Sequence, residues 1–180
     1  MSISDEVRQQ VRLRAEFACE FCAVSETDAG GELTVDHFQP GSKGGSDEPN
    51  NLLYCCARCN QYKADYWGDA PNAARLWNPR QTASSEHFLL FADGTLHPLT
   101  ETGAFTVRRL RLNRSPLIAY RLRQQIQAQE KRLAERYQNI IVLLVQLVQE
   151  QADLLKEQQT LLAEQRFLLQ LLVDKETKGI

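Results

Sequence analysis

Apolar residues in the first twenty positions recur at helical spacing. Val7, Val11, Ala15 and Ala18 share one face, behind Ser4 as N-cap and with Asp5 and Glu6 in the first turn. The helix they predict runs into Cys19-Glu20-Phe21-Cys22. Two short apolar runs follow, at about 33–37 and 52–55, and read as strands. Between them, thirteen residues from Gln39 to Asn51 carry no hydrophobic side chain. A second helix is predicted from near Ala57 to before Gly68. Farther on, HFLLFADGTLHPL reads as a hairpin with Asp93-Gly94 as a two-residue turn. Thr106 to Asn113 reads as a short basic helix, and Ser115-Pro116 starts a new one, a capping serine before a first-turn proline.

After Pro116 neither glycine nor proline occurs until Gly179. Tyr137, Ile140, Leu144, Leu147, Leu154, Leu161, Leu168 and Leu172 fall on heptad-type steps, with Gln151, Gln158 and Gln165 at the other seam position. A second row, Ile141, Val145, Val148, Ala152, Leu155, Leu162 and Leu169, lies beside the first. One continuous helix here would be roughly 90 Å long at 1.5 Å per residue. A domain of 115 residues cannot cover that length. The pattern therefore predicts a coiled coil that makes a homo-oligomer through residues 116–176, and it also offers a surface to a protein partner. Buried glutamines would cost stability while setting register and oligomer number. Three segments result: 1–67, 68–115 and 116–180.

Charge narrows the function classes. The chain has 180 residues and a formal net charge of −2. Up to Ser115 there are 12 basic and 15 acidic residues, a net −3, so no global basic field surrounds the folded part. The opening MSISDEVRQQVRLR has no apolar core of the kind a secretory leader carries, and no run of 18 apolar residues exists. The expected location is cytoplasmic, with no membrane segment.

In that setting five cysteines, four of them in two CxxC pairs, favour metal over disulfides. Cys19, Cys22, Cys56 and Cys59 suit tetrahedral thiolate ligation of a structural Zn²⁺, which leaves no open position for water. Either Cys55 or Cys56 can be paired with Cys59. The two-residue spacing favours Cys56, and strand alternation sends Cys55 into the core.

The polar loop is flanked by chemistry. Asp36-His37 ends the first strand, Asn51 closes the loop, and Asn60 follows the second knuckle. With CEFC, DHFQPGSKGG, NNLLYC and CARCNQYK, this arrangement resembles the HNH nuclease family over about residues 8–67. The resemblance implies an α+β chain with a ββα-metal (His-Me finger) nuclease core and a zinc knuckle, followed here by a long helix. It implies a DNA-hydrolysing endonuclease with His37 as general base. Asp36 and Asn60 would hold a catalytic Mg²⁺ or Mn²⁺, and Asn51 would pin the loop and orient His37. Asp36 and Asn60 stand where other members carry histidines, which favours hard, oxygen-preferring cations. The loop glycines would let backbone amides approach phosphates. The resemblance further suggests a role in bacterial defence or in a mobile element.

With an acidic fold, nucleic-acid contact must be local. Lys43 and Lys63 are candidate phosphate contacts, as are Arg108, Arg109, Arg111 and Arg114, a patch extended by Arg121 and Arg123. No base-reading module is evident, and RNA is compatible with the same chemistry. His87 and His97 lie outside any motif and read as structural. Two rival functions fit the same residues: a non-catalytic zinc module that binds nucleic acid and assembles through the long helix as a coiled-coil adaptor, and a nuclease subunit delivered by a partner.

Overall fold

The computed structural model of the chain describes residues 3–70 and 72–178. Gly179 and Ile180, the end of the predicted 116–180 segment, lie outside the described residues. Contacts within the chain group residues 1–125 into one unit and 126–180 into a second.

Helix α1 (Asp5–Arg14) begins as its sequence predicts, with the Ser4 hydroxyl accepting from Val7 N. It stops earlier than expected. Glu16 and Phe17 take left-handed φ values of 51° and 59°, so Ala18 leaves the helix and bridges Ser25 instead. That reversal presents the first CxxC pair. A single-turn helix, α2 (Glu26–Ala29), follows. Its Glu26 accepts two hydrogen bonds from Arg12, from Nε at 2.6 Å and Nη2 at 2.7 Å, and a third from the Tyr54 hydroxyl.

Strands β1 (Thr34–His37) and β2 (Leu52–Cys55) pair antiparallel, Thr34 opposite Cys55 and His37 opposite Leu52. Both faces of β2 are covered, and alternation along the strand divides its side chains. Leu52 and Tyr54 join Val11 of α1. Leu53 and Cys55 join the main core with Trp77, Phe88, Leu110 and Leu112. Helix α3 (Ala57–Lys63) leaves β2 directly and ends at Ala64, where φ is 51°.

The second layer holds α4 (Ser84–His87), a helical turn that had no counterpart in the sequence pattern, then β3 (Phe88–Leu90) and β4 (Leu96–Pro98). The hairpin is present, but its loop has three residues. Phe91 N donates to Thr95 O, Gly94 N donates to Phe91 O, and Gly94 sits at φ 79°. The expected basic helix over 106–113 is instead α5 (Glu101–Arg109), with Thr100 Oγ1 accepting from Gly103 N. Gly103 lies within α5, and a Cβ there would lie 2.3 Å from the His87 carbonyl oxygen, so glycine is what allows α5 to meet α4. At the far end Asn113 turns its side chain to the backbone of Leu96, bonding N at 2.8 Å and O at 2.9 Å.

Helix α6 (Ser115–Lys178) has 64 residues, about 96 Å at 1.5 Å per residue. Its first turns belong to the first unit. The Tyr120 hydroxyl donates to Ala23 O at 2.7 Å, and Arg121 Nη1 donates to Gly94 O at 2.8 Å. Arg121 is buried there as a brace for the hairpin tip, which corrects its expected place in a basic surface patch. From Ile126 to Leu172 every residue is exposed, including all of the two apolar rows. No helix among the described residues is long and apolar enough to cross a membrane.

Candidate metal centre and acid-histidine site

The two CxxC pairs meet. The sulfurs of Cys19, Cys22, Cys56 and Cys59 all lie within 4.8 Å of one another, and each residue is buried. Cys22 Sγ and Cys56 Sγ are 3.7 Å apart. Four thiolates about 2.3 Å from a tetrahedral Zn²⁺ would be about 3.8 Å apart, so the cluster fits that ion. Local backbone explains the convergence. Cys19 N donates to Val24 O and Ala23 N to Cys19 O, closing the first knuckle with Ala23 at φ 61°. Cys56 caps α3, its sulfur accepting from Cys59 N at 3.4 Å, and so the second pair sits on a helix start.

Four adjacent thiols cannot ionise independently. Hydrogen bonding from Cys22, and then from its neighbours, holds Cys19 well below the usual thiol range, while the bond to Cys19 pushes Cys59 far above it. A divalent cation removes that conflict by taking all four as thiolates. Cys55 is not one of the four, but its thiol, fully buried on the core face of β2, borders Cys19, which pushes it up. Arg114 approaches from outside, its Nη2 4.0 Å from Cys59 Sγ. Burial opposes its charge, and the cysteine cluster more than offsets that.

The acid-histidine end of β1 lies next to this centre in the chain. Thr34 and Asp36 share one face of β1, and Asn60 Nδ2 donates to Thr34 Oγ1 at 3.4 Å. The amide oxygen of Asn60 is left free of hydrogen bonds among the described residues. Asp36 Oδ2 lies 2.9 Å from Lys63 Nζ, and Lys63 is fully buried. Lys63 therefore does not stand as a surface phosphate contact. One helical turn beyond Asn60, it directs its ammonium inward onto Asp36. Carboxylate and carboxamide oxygens are the donor type that Mg²⁺ and Mn²⁺ take, and the Asp36 oxygen here faces the Lys63 ammonium.

His37 has a partner that the sequence did not reveal. Its Nε2 is 2.7 Å from Oδ1 of Asp47, in the middle of the polar loop. The loop is held in place by Asn51, whose Oδ1 accepts from Gln39 N at 2.8 Å. Asn51 Nδ2 donates to Gln39 O at 3.0 Å and Ser46 O at 2.8 Å. Gly45 makes this possible, because a Cβ would fall 1.8 Å from the Gln39 carbonyl oxygen. That glycine serves the loop's own packing. Nothing in spacing marks Asp47. Its only sequence signal is an acid on a loop that must return to the strand end.

The basic residues separate into two groups. Lys43, Arg108 and Arg111 are exposed, although Arg111 also lies 4.9 Å over the Tyr62 ring. Arg109 is half-buried. It donates to Lys63 O at 3.1 Å and lies 5.0 Å over Tyr66. Arg114 is occupied by Cys59 and by the carbonyls of Leu110 and Arg111. His87 is tied by Thr82 and Thr100, and His97 stacks on Phe91 at 5.3 Å.

Residues 19–65 match the family model of the HNH endonuclease. The matched span holds both CxxC pairs, Asp36, His37, Asp47, Asn51, Asn60 and Lys63, and stops short of the hairpin and α6. No curated protein and no solved structure matched the chain.

Proposed function

We propose that this chain, whose residues 19–65 carry an HNH domain, is a divalent-cation-dependent endonuclease that hydrolyses DNA phosphodiester bonds. The single observation behind the proposal is the His37–Asp47 pair on the strand end that also bears Asp36. A carboxylate on Nε2 makes that nitrogen the proton carrier and leaves the Nδ1 lone pair as a base. In the proposed reaction Nδ1 takes a proton from water as the water oxygen attacks phosphorus. Asp47 then faces the imidazolium that forms. Asp36 and Asn60 would hold the cation, which supplies Lewis-acid stabilisation of charge on the phosphate and the leaving 3′ oxygen. Lys63 fixes the Asp36 carboxylate and adds positive charge behind it. The cysteine-bound zinc has a structural part, tying the first knuckle to the β2–α3 corner.

The exposed apolar rows of α6 support self-association, with a second copy of the helix covering residues 126–172. Paired copies would let two sites act on two strands. Lys43, Arg108 and Arg111 are proposed as phosphate contacts, since their side chains are exposed.

A second reading is a zinc-containing nucleic-acid adaptor without catalysis. It is favoured by one feature: Asp36 already has a buried ammonium as its counter-charge. Cleavage of supercoiled plasmid with Mg²⁺ or Mn²⁺, comparing wild type with His37→Ala at equal zinc content, decides between them. Nicked or linear product from wild type, reduced by about 10²–10⁴-fold in the variant, supports the nuclease. Equal cleavage by both proteins would remove His37 from its role. No cleavage of plasmid, single-stranded DNA or RNA would favour the adaptor.

A further inference from the structure

Beside the 39–51 loop lies a cavity of about 600 Å³, a size common among small-ligand sites. Its walls combine aromatic side chains, Phe38, Trp67 and the largely buried Trp77, with carboxamides, from Gln39, Asn78 and Gln81. Phe38 and Trp67 meet edge to face, centroids 5.9 Å apart at 89°. In such a pair one ring uses only its edge, so flat ring surface remains for a planar ligand. Gln39 spends its amide nitrogen on Lys43 O at 2.7 Å, but the other two amides keep capacity. Among the described residues the Gln81 side chain makes no hydrogen bond, and Asn78 uses only its oxygen, accepting from Arg80 N at 2.9 Å. A carboxamide offers a donor and an acceptor side by side, which complements the edge of a nucleobase. The charges on the wall, Arg75 and Glu48, oppose each other, so the cavity is not built for an anion.

Its position connects it with the acid-histidine site. Ser46 and Glu48 line the cavity, and Asp47 between them holds His37. Phe38, directly after His37, lines it too. A ligand there would rest on the same loop that orients His37. We propose that this cavity receives one nucleobase unstacked from the bound nucleic acid, held between aromatic faces and read at its edge by Gln81 and Asn78. This rests on the nucleic-acid part of the proposed function. It would add base selectivity to the proposed phosphate contacts.

Both tryptophans of the chain line the cavity, so their fluorescence reports its occupancy. Full-length, zinc-loaded protein is titrated with dAMP, dCMP, dGMP and TMP, and with 2-deoxyribose 5-phosphate as the base-free control. The expected result is a saturable change with at least one nucleotide and none with the control. Gln81→Ala, an exposed side chain, should weaken that nucleotide roughly tenfold. By anisotropy, a duplex with one mismatched pair should bind roughly tenfold tighter than the matched duplex, because its base is already unpaired. Trp67→Ala should abolish that preference.

Absence of saturation, an equal response to the base-free sugar phosphate, or an unchanged Gln81→Ala would overturn the proposal. The two failures are separable. A base response without cleavage under any cation leaves the cavity assigned and removes the nuclease. Cleavage without a base response does the reverse.

Discussion

His37 Nε2 and Asp47 Oδ1 lie 2.7 Å apart, joining the end of β1 to a loop residue ten positions later. Asp47→Asn keeps the shape and removes the charge that fixes the tautomer. In single-turnover cleavage at saturating cation we expect a drop of roughly 10- to 100-fold in rate with little change in KM. Asp47→Ala in a His37→Ala background should add nothing further. An additive loss in the double variant would separate the two residues.

Lys63 offers a sharper test of what is structural. Lys63→Ala leaves the Asp36 carboxylate unpaired at a largely buried position. We expect a loss of about 3 kcal/mol in denaturant unfolding. The salt dependence of DNA affinity should not move. Lys43→Ala and Arg108→Ala should leave stability unchanged, Arg111→Ala should lose only its contact with Tyr62, and each should lower the salt slope by about 0.9. A reduced slope for Lys63→Ala would return it to the phosphate contacts.

The cysteines separate in the same way. Cys56→Ser or Cys59→Ser should lose bound zinc, and circular dichroism should show the first unit melting at a lower temperature. Cys55→Ser should retain zinc, because Cys55 borders Cys19 but is not among the four converging sulfurs. Metal analysis after gel filtration checks both. Zinc loss in Cys55→Ser would contradict the assignment.

Sedimentation of the full chain should show an oligomer. Truncation after Gln125, or Ile140→Glu with Leu144→Glu, should give a monomer, since the first removes the exposed apolar rows and the second puts charge into one of them. Replacing Gln151, Gln158 and Gln165 by leucine should raise the melting temperature of the helix and alter oligomer number. A full-length monomer would discard paired sites.

Glu26 predicts an acid-side effect. The Arg12 hydrogen bonds, and then Tyr54, hold its carboxyl below the ordinary glutamate range in the folded chain. Its stabilising contribution is therefore complete above the unfolded-state value and is lost as pH falls through the lower folded value. Glu26→Gln should lower the melting temperature at neutral pH and narrow its gap to wild type in acid. A constant gap across that range would show that the ion pair contributes nothing.

Sequence alone carried the features that depend on neighbours in the chain. The CxxC spacing, the Ser4 cap, the two strands, the Asp93-Gly94 turn region and the uninterrupted apolar rows are local, so periodicity and residue chemistry suffice. Asn51 as the residue that pins the loop came instead from the resemblance to the HNH family. The side of β2 that Cys55 faces followed from strand alternation.

Tertiary structure decided what depends on distant backbone meeting. Lys63 looks like any surface lysine until α3 lies against β1 and turns its ammonium onto Asp36. Arg121 and Arg109 read as a basic patch until hairpin and helix carbonyls take their hydrogen bonds. Gly103 carries no signal in the sequence until the His87 carbonyl arrives at the space its missing Cβ leaves. Asp47 becomes a partner of His37 only because Asn51 folds the polar loop back over the strand end. In each case a long polar side chain, or an absent one, has several solvated alternatives in the sequence, and packing against a remote segment leaves one.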